Sequence, residues 1–206
     1  MTLNLFNQSG SQLASALDSK TTTDSDSATQ SAVRLFPHSQ NDANDLLRPQ
    51  FWSRFALSEL NHSEWEALCD GCGSCCLIKY IDDKNISDDN NHEAEMVEYT
   101  DVTCQLMDCT TGYCKHYATR QEHVPDCIQL TMENLPQMMW LPSHCAYKRL
   151  YKGQDLPNWH LLLTGDAVAT QQQMRAANVG VAGRCISEIG ITDEEMEERV
   201  VNWVQP

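Results

Sequence analysis

The distribution of polar and apolar residues divides the chain into two parts. Residues 1–47 are rich in Ser, Thr, Gln, Asn and Asp, and residues 18–27 among them have almost nothing to bury, so the segment is expected to form a disordered polar and acidic extension. Aromatic residues follow from Phe51 and Trp52 onward. Because one core is the usual outcome for a chain of this length, residues 48–206 are expected to form a single domain.

Two apolar segments of this domain predict strands. They cover residues 77–81 and 96–100 and flank a polar segment at residues 82–92. The simplest arrangement is a β-hairpin with a long acidic tip. The tip lacks the alternating oxygen ligands, central glycine and closing glutamate of an EF-hand loop, so calcium binding is disfavoured.

Capping signals predict short helices before and after the hairpin. Ser63, as N-cap, and Glu66 have the spacing of a capping box, which would begin a helix that delivers Cys69 at its end. The same signal at residues 192–195 predicts a helix that continues through Trp203.

Two further helices are expected between these elements. One would run from Thr131 toward Trp140. The other would run from Pro142 to Gly153, since proline favours a helix start and glycine a helix end. Several short helices, one β-hairpin and much loop together define a small, loop-rich α+β fold.

Charge and compartment narrow the range of functions. The formal net charge of -15 opposes binding to nucleic acid or to an anionic membrane, so only a protein partner is kept open. The N-terminus lacks the pattern of a signal peptide, and no apolar run approaches the roughly 20 residues needed to cross a bilayer. We therefore expect a cytoplasmic protein. Its reducing environment disfavours disulfides and leaves metal binding or redox chemistry for the 10 cysteines.

The densest cluster of cysteines lies at residues 69–76, which read CDGCGSCC. Thiolates are soft ligands for zinc, Cu(I) and iron–sulfur clusters, and two-residue gaps let neighbouring sulfurs reach one centre. Gly71 and Gly73 suit this interpretation because they can adopt positive φ and turn backbone amides toward sulfur. Buried inert thiols, the usual outcome for isolated cysteines, are less favoured here.

The motif leaves the nature of the centre open. Cys75 and Cys76 are adjacent and successive Cβ atoms diverge, so either one of them leaves the first site or the two serve different centres. The spacing resembles a bacterial ferredoxin loop without its further Cys-Pro, whereas structural zinc usually uses two separated CxxC pairs. Zinc, iron and an iron–sulfur cluster therefore all stay open, as does the number of ions.

Further motifs follow the cysteine run in order. They are YTDVTC at 99–104, VPDCIQLT at 124–131, WLPSHCAY at 140–147 and DLPNWH at 155–160. Over about residues 50–188 the chain resembles the YcgN-like branch of the YkgJ-type CxxCxxCC family, whose bacterial members are described as zinc- or iron-chelating domains. A related member of the broader family is a flagellin lysine methylase, so an enzymatic role stays open, although this chain has no recognisable methyl-donor motif.

The resemblance implies eight metal-binding cysteines. They are Cys69, Cys72, Cys75, Cys76, Cys104, Cys114, Cys127 and Cys145. Cys109 and Cys185 lie where the family has no expected cysteine and are left out as ligands. Among the histidines, His160 could act as a base near Asp166, but a hydrogen bond to loop backbone is favoured. Replacement of a thiol at zinc by His144 is likewise the less favoured alternative.

The sequence therefore predicts a cytoplasmic, Cys-rich, metal-organised protein with zinc, iron or an iron–sulfur cluster as cofactor. An iron–sulfur redox enzyme or electron-transfer protein is the alternative. Structural zinc contributes roughly 10–16 kcal/mol, against roughly 5–15 kcal/mol for the stability of a typical fold. Removal of the metal is therefore expected to unfold residues 69–145.

Overall fold

The computed structural model describes residues 46–81 and 97–206. The predicted extension, apart from its last two residues, and the acidic tip of the hairpin lie outside the described residues. The described part is an α+β fold of short helices, a small sheet and long loops, and the predicted fold class is confirmed.

The helices of the described part are short. They are α1 (Phe51–Arg54), α2 (His62–Glu66), α3 (Arg120–His123), α4 (Ala146–Tyr151), α5 (Leu161–Thr164), α6 (Ala167–Ala176) and α7 (Asp193–Glu197). Single 3-10 turns cover Leu57–Glu59, Ser74–Cys76, Tyr117–Thr119 and Leu135–Gln137. None of the helices in the described ranges is long and apolar enough to cross a membrane. Because such short helices are marginal alone, they depend on packing against the rest of the chain.

The strands form two sheets. They are β1 (Leu77–Ile81), β2 (Val97–Thr103), β3 (Met107–Asp108), β4 (Tyr113–Cys114), β5 (Ile186–Ser187) and β6 (Val200–Val201). β1 and β2 pair antiparallel, with Lys79 opposite Tyr99. The other edge of β2 pairs with β6 antiparallel and with β5 parallel, so β2 is the centre of a mixed four-stranded sheet. β3 and β4 form a separate hairpin.

The predicted hairpin is confirmed, but the C-terminal helix is shorter than predicted. The capping box at residues 192–195 is present, yet α7 ends at Glu197. Val200 instead pairs with Thr100 and Val201 with Tyr99. The edge of β2 needs hydrogen-bond partners for its backbone, and β6 supplies them in place of further helix.

The predicted start of α2 was wrong by two residues. Asn61, and not Ser63, is the N-cap: its side chain accepts from Glu64 N at 2.8 Å, and Glu64 accepts from Asn61 N at 3.1 Å. Glu64 is also held by Arg48, whose Nε lies 2.8 Å from its carboxylate. This half-buried ion pair, in which only Glu64 is fully buried, selects Glu64 as the capping acid, which local spacing alone cannot reveal.

Two other helices differ from their predicted bounds. In place of a helix from Thr131 to Trp140 there is only the turn Leu135–Gln137. Thr131 and Asn134 exchange the hydrogen bonds of a capping box, 2.8 and 3.3 Å long, but Pro136 lacks the N–H that a helix begun at Thr131 needs at that position. α4 begins after Cys145, which is its N-cap, and not at Pro142. Its end agrees with the prediction, since Gly153 follows with a φ of 69°.

Two core clusters lie on either side of the cysteine run. The first contains Phe51, Ala67, Leu68, Leu135, Trp140, Leu141, Ala146, Tyr147 and Leu156. The second contains Leu77, Tyr99, Met107, Val181, Cys185 and Val204. Cys69 and Cys75 pack against the first cluster, whereas Cys76 packs against the second. The run is therefore the point at which the two clusters meet.

Candidate metal centre

The cysteine run forms a tight loop between α2 and β1. Asp70 shapes its start, because Oδ1 accepts from Cys72 N at 3.1 Å. Gly71 and Gly73 have φ values of 71° and 72°, in the left-handed region that glycine adopts readily, as expected. The 3-10 turn at Ser74–Cys76 then leads directly into β1.

Segments distant in sequence hold this loop closely. A Cβ atom at Gly73 would lie 2.5 Å from Val181 Cγ2 and 3.0 Å from Gly112 O. Val181 N also donates to Cys72 O at 3.0 Å. The loop therefore has no room for a side chain at Gly73, and its conformation depends on the segments that carry Gly112 and Val181.

Four thiols from two segments form what we call group A. They are Cys69, Cys72, Cys75 and Cys145. Burial is the main cause that raises the pKa values of Cys69, Cys72 and Cys145, and the charges of Asp70 and of the other group A thiols raise them further. Cys145 reaches a pKa of about 12. Such buried, mutually repelling thiolates need a cation to replace their protons, as a metal ion does.

The other four predicted ligands form group B. They are Cys76, Cys104, Cys114 and Cys127. Burial is the main cause that raises the pKa values of Cys104 and Cys127, and Cys114 raises both further. Cys127 adds to the raised pKa of Cys76, whose main cause is its hydrogen bond with Cys75. The positive charge of Arg120 lowers the pKa of Cys127 and so opposes the effect of burial.

The two groups meet at adjacent residues. The Sγ atoms of Cys75 and Cys76 lie 3.9 Å apart. The charge of Cys75 raises the pKa values of the other group A thiols and also that of Cys127, whereas Cys127 of group B raises the pKa of Cys76. The hydrogen bond from Cys76 is the main cause that lowers the pKa of Cys75 to about 7, and Lys79 contributes against the opposing effect of burial. Cys75 packs against the first core cluster and Cys76 against the second, an arrangement that is compatible with both alternatives left by the sequence.

Lys79 is a functional candidate that sequence reasoning missed. Its Nζ donates to Cys75 O at 3.1 Å and lies 4.3 Å from the ring centroid of Trp140. Burial lowers the pKa of Lys79, while the charges of Cys75 and Cys76 act in the opposite direction. The sequence did contain a signal for this role, namely a lysine inside an apolar strand directly after the cysteine run. An ammonium group that is removed from water needs hydrogen-bond or charge partners, and the run is the nearest source of them.

The spacing of the thiols bears on the size of the centre. Among residues 46–81 and 97–206, no three His, Cys, Asp or Glu side chains lie close enough together to hold one metal ion. Groups A and B are therefore defined by which thiols influence one another's pKa values, and not by metal–ligand distances.

Two buried polar atoms beside the thiols have no hydrogen-bond partner within the described part of the chain. They are Ser74 Oγ, in the cysteine run, and His144 Nε2, next to Cys145. Such atoms are costly unless something satisfies them, so they mark places where a bound group is expected. Together with the soft sulfur donors, they fit a thiolate-bound metal centre.

Side chains outside the run position its first turn. Asp70 Oδ2 accepts from Trp159 Nε1 at 3.1 Å. His160 bonds the carbonyl oxygen of Leu68 at 2.9 Å, which confirms the favoured interpretation of this histidine. Asp166 instead caps α6 by accepting from Ala169 N at 2.7 Å, so it is not the partner of His160. Sequence reasoning missed Asp70 and Trp159, although a carboxylate two residues before Cys72 is typical of an Asx turn.

A cavity of about 230 Å³ adjoins the loop. Gly71 and Cys72 form one wall, and Arg175, Arg184 and Gln171 contribute polar groups to the others. Arg184 lies 3.7 Å from the ring centroid of Trp203 and donates to Asn178 O at 3.0 Å. A small molecule in this cavity would contact the backbone and side chain of a predicted ligand.

These features define a cysteine-rich α+β protein with a candidate metal centre, and comparison with known families agrees with this class. The family described as "CxxCxxCC: Putative zinc- or iron-chelating domain" matches residues 68–146, a range that contains all eight cysteines of groups A and B.

A UPF0260 protein of Shewanella denitrificans is 44% identical over 153 residues, which are 74% of this chain and 94% of the relative. A UPF0260 protein of Ectopseudomonas mendocina is 44% identical over 151 residues, 73% of this chain and 93% of the relative. The chain belongs to the UPF0260 family. No solved structure matches it.

Proposed function

We propose that this protein binds metal through eight cysteine thiolates arranged as two sites, one in group A and one in group B. The observation that carries the proposal is the convergence of Cys104, Cys114, Cys127 and Cys145 on the cysteine run, with Cys75 and Cys76 divided between the groups. Buried thiols concentrated in this way are stable as thiolates only with a compensating cation.

An iron–sulfur cluster is the cofactor that group A supports best. A cluster binds each thiolate through a different iron, so it accommodates a wider arrangement of sulfurs than one zinc ion does. Ser74 Oγ and Lys79 Nζ are buried donors beside these sulfurs, and such donors tune the potential of a cluster. Zinc in either site is the second candidate, because four thiolates are also its usual structural ligand set.

A redox enzyme or electron-transfer protein is the more specific function that such a cluster would allow. The cavity beside Gly71 and Cys72 favours this candidate over a purely structural centre, because it would bring a small molecule to within reach of a ligand. The bound cluster would supply or accept single electrons. Asp70 and Lys79 would set the charge around it, and the two core clusters would exclude water from its protein side.

The cellular setting follows from the same chemistry. We place the protein in the cytoplasm, where reducing conditions keep the eight thiols of groups A and B available for metal. The net charge of -15 supports a protein or small-molecule partner over nucleic acid or an anionic membrane.

The full chain should be purified under anaerobic conditions without a metal-affinity tag and analysed for metal, sulfide and visible absorption in the same sample. Iron with matching sulfide and broad visible absorption is the expected result. Colourless protein with bound zinc would show that zinc, and not an iron–sulfur cluster, is the cofactor, because zinc has no visible transitions. Folded protein without metal would overturn the metal-binding function.

Variants test the division into two sites. Cys145→Ser should remove the metal of group A and leave that of group B, whereas Cys127→Ser should do the reverse. Cys109→Ser, a matched substitution outside both groups, should retain all the metal. Loss of all metal in both ligand variants, while each remains folded by circular dichroism, would show one shared site instead of two.

A further inference from the structure

The two cysteines outside groups A and B lie against each other. Cys109 lies in the turn between β3 and β4, and Cys185 directly precedes β5. Cys109 packs against the second core cluster, which contains Cys185, and the two thiols interact there. Gly183 N donates to Cys109 O at 2.7 Å. The backbone and the side chains of the two segments are therefore both in contact.

This pair is separate from the candidate metal sites. Burial, followed by the hydrogen bond and charge of Cys109, raises the pKa of Cys185 to about 12. The thiol charges that act on the predicted ligands come from other members of groups A and B. The two sulfurs thus form a pair that joins segments far apart in the sequence, in the core cluster against which Cys76 also packs.

We propose that Cys109 and Cys185 are a redox-active dithiol that forms a reversible disulfide by exchange with a low-molecular-weight disulfide. Cys109 is the attacking residue because it is partly exposed, whereas Cys185 is only 8% exposed. Cys185 is the resolving residue.

The exchange takes place in two balanced steps. Cys109 loses its proton to solvent, and its thiolate attacks one sulfur of the small disulfide, which releases one small thiolate and leaves a mixed disulfide on Cys109. Cys185 then loses its proton and attacks Sγ of Cys109, which releases the second small thiolate. The two protein thiols are oxidised by two electrons in total, and the small disulfide is reduced to two thiols.

The disulfide would act on the cysteine run through the segments it joins. The turn that contains Cys109 also carries Gly112, whose oxygen borders Gly73, and the segment before Cys185 carries Val181, which bonds Cys72 O. A covalent bond between Cys109 and Cys185 would fix these two segments to each other. The turn at residues 72–73 would then be less able to open, so the oxidised protein would release its group A metal more slowly.

The experiment uses the full, metal-loaded chain and oxidised glutathione as the probe. Peptide mapping by mass spectrometry without reductant should identify one disulfide, between the peptides of Cys109 and Cys185, that dithiothreitol reverses. Transfer of metal to a chromogenic chelator should be slower after oxidation. A holoprotein that keeps both thiols free at a glutathione potential that oxidises ordinary dithiols would overturn the proposal.

Two variants distinguish the attacking from the resolving residue. Cys185→Ser should accumulate a stable glutathione adduct on Cys109, because no second thiol can resolve it. Cys109→Ser should remain unmodified, since Cys185 is buried. Equal modification of both variants would overturn the assigned order. Loss of metal from either variant before any oxidant is added would show that the two cysteines are metal ligands, and it would also overturn the proposal. Failure to find metal in the wild-type protein would contradict only the metal-binding function proposed above.

Discussion

His160 Nε2 lies 2.9 Å from the carbonyl oxygen of Leu68, the residue immediately before Cys69. Nδ1 of the same ring accepts a hydrogen bond from Leu162 N at 3.1 Å. Nε2 therefore carries the ring proton and donates a hydrogen bond to Leu68 O. His160 is fully buried. One imidazole thus joins the start of α5 to the start of the cysteine run.

Removal of this imidazole should lower the stability of the fold and speed the release of metal. His160→Ala leaves Leu68 O and Leu162 N without their partner, which should lower the free energy of unfolding by about 1–3 kcal/mol. His160→Gln, whose amide can replace the donor, should lose less. Urea denaturation and the rate of metal transfer to a chelator measure the two effects. The exposed His62→Ala is the matched control, and an equal loss in that variant would contradict the role of His160.

The same histidine predicts a pH dependence of stability. Burial is the main cause that lowers the pKa values of His160 and His144 below the ordinary value of about 6.5. The unfolded chain therefore takes up these protons at a higher pH than the folded protein does. Their contribution is fully present above about pH 6.5 and is lost as the pH falls toward the lowered values.

Denaturation curves at a series of pH values check this sign. The free energy of unfolding should fall less in His160→Gln than in the wild-type protein between about pH 7 and pH 5. The exposed His62 provides the control again, because His62→Gln should follow the wild-type curve. Parallel curves for wild type and His160→Gln would show that His160 does not contribute.

Asp70 should control the pH at which the thiols of group A bind metal. Its carboxylate raises the pKa values of Cys69, Cys72 and Cys145, so Asp70→Asn should lower the pH midpoint of metal uptake by roughly one unit. Titration of metal-free protein with Co²⁺ at different pH values, followed by its thiolate absorption, provides the measurement.

Trp159→Phe separates charge from hydrogen bonding at Asp70. This variant removes the indole donor at 3.1 Å but leaves the carboxylate charged. It should therefore not lower the midpoint, and it should reduce stability by about 1 kcal/mol. If both variants lowered the midpoint equally, the effect of Asp70 would be structural and not electrostatic.

Gly73 and Gly153 form a matched pair for testing the packing of the loop. Both have positive φ, 72° and 69°, but a Cβ atom at Gly153 meets nothing within 4 Å. Gly153→Ala should therefore lower the free energy of unfolding only by the cost of a left-handed backbone conformation at alanine, about 1–2 kcal/mol. Gly73→Ala should cost about 1–3 kcal/mol more, because its Cβ would overlap Val181.

Thermal unfolding and metal content measured on both variants check this difference. Gly73→Ala should also bind less metal, since Val181 holds Cys72 O. Equal stability losses in the two variants, with full metal content, would contradict the close packing of the loop.

Local signals predicted the parts of the fold that depend on neighbouring residues. The hairpin of β1 and β2 and the capping box of Thr192 each arise from residues a few positions apart, and both are present. The start of α2 was misplaced because Arg48 selects Glu64 from a distance, and the end of α7 because β6 completes the edge of β2. Local propensity is weak compared with such tertiary hydrogen bonds.

The sequence by itself determined the candidate chemistry of this protein: a run of soft sulfur donors, the glycines that let this run turn, and membership of the UPF0260 family. Only the tertiary structure decided which thiols lie together, that Lys79 and Asp70 set their charge, and that Cys109 meets Cys185. Residue types and short spacings are local properties, whereas the distance between thiols far apart in the chain depends on how both core clusters pack around them.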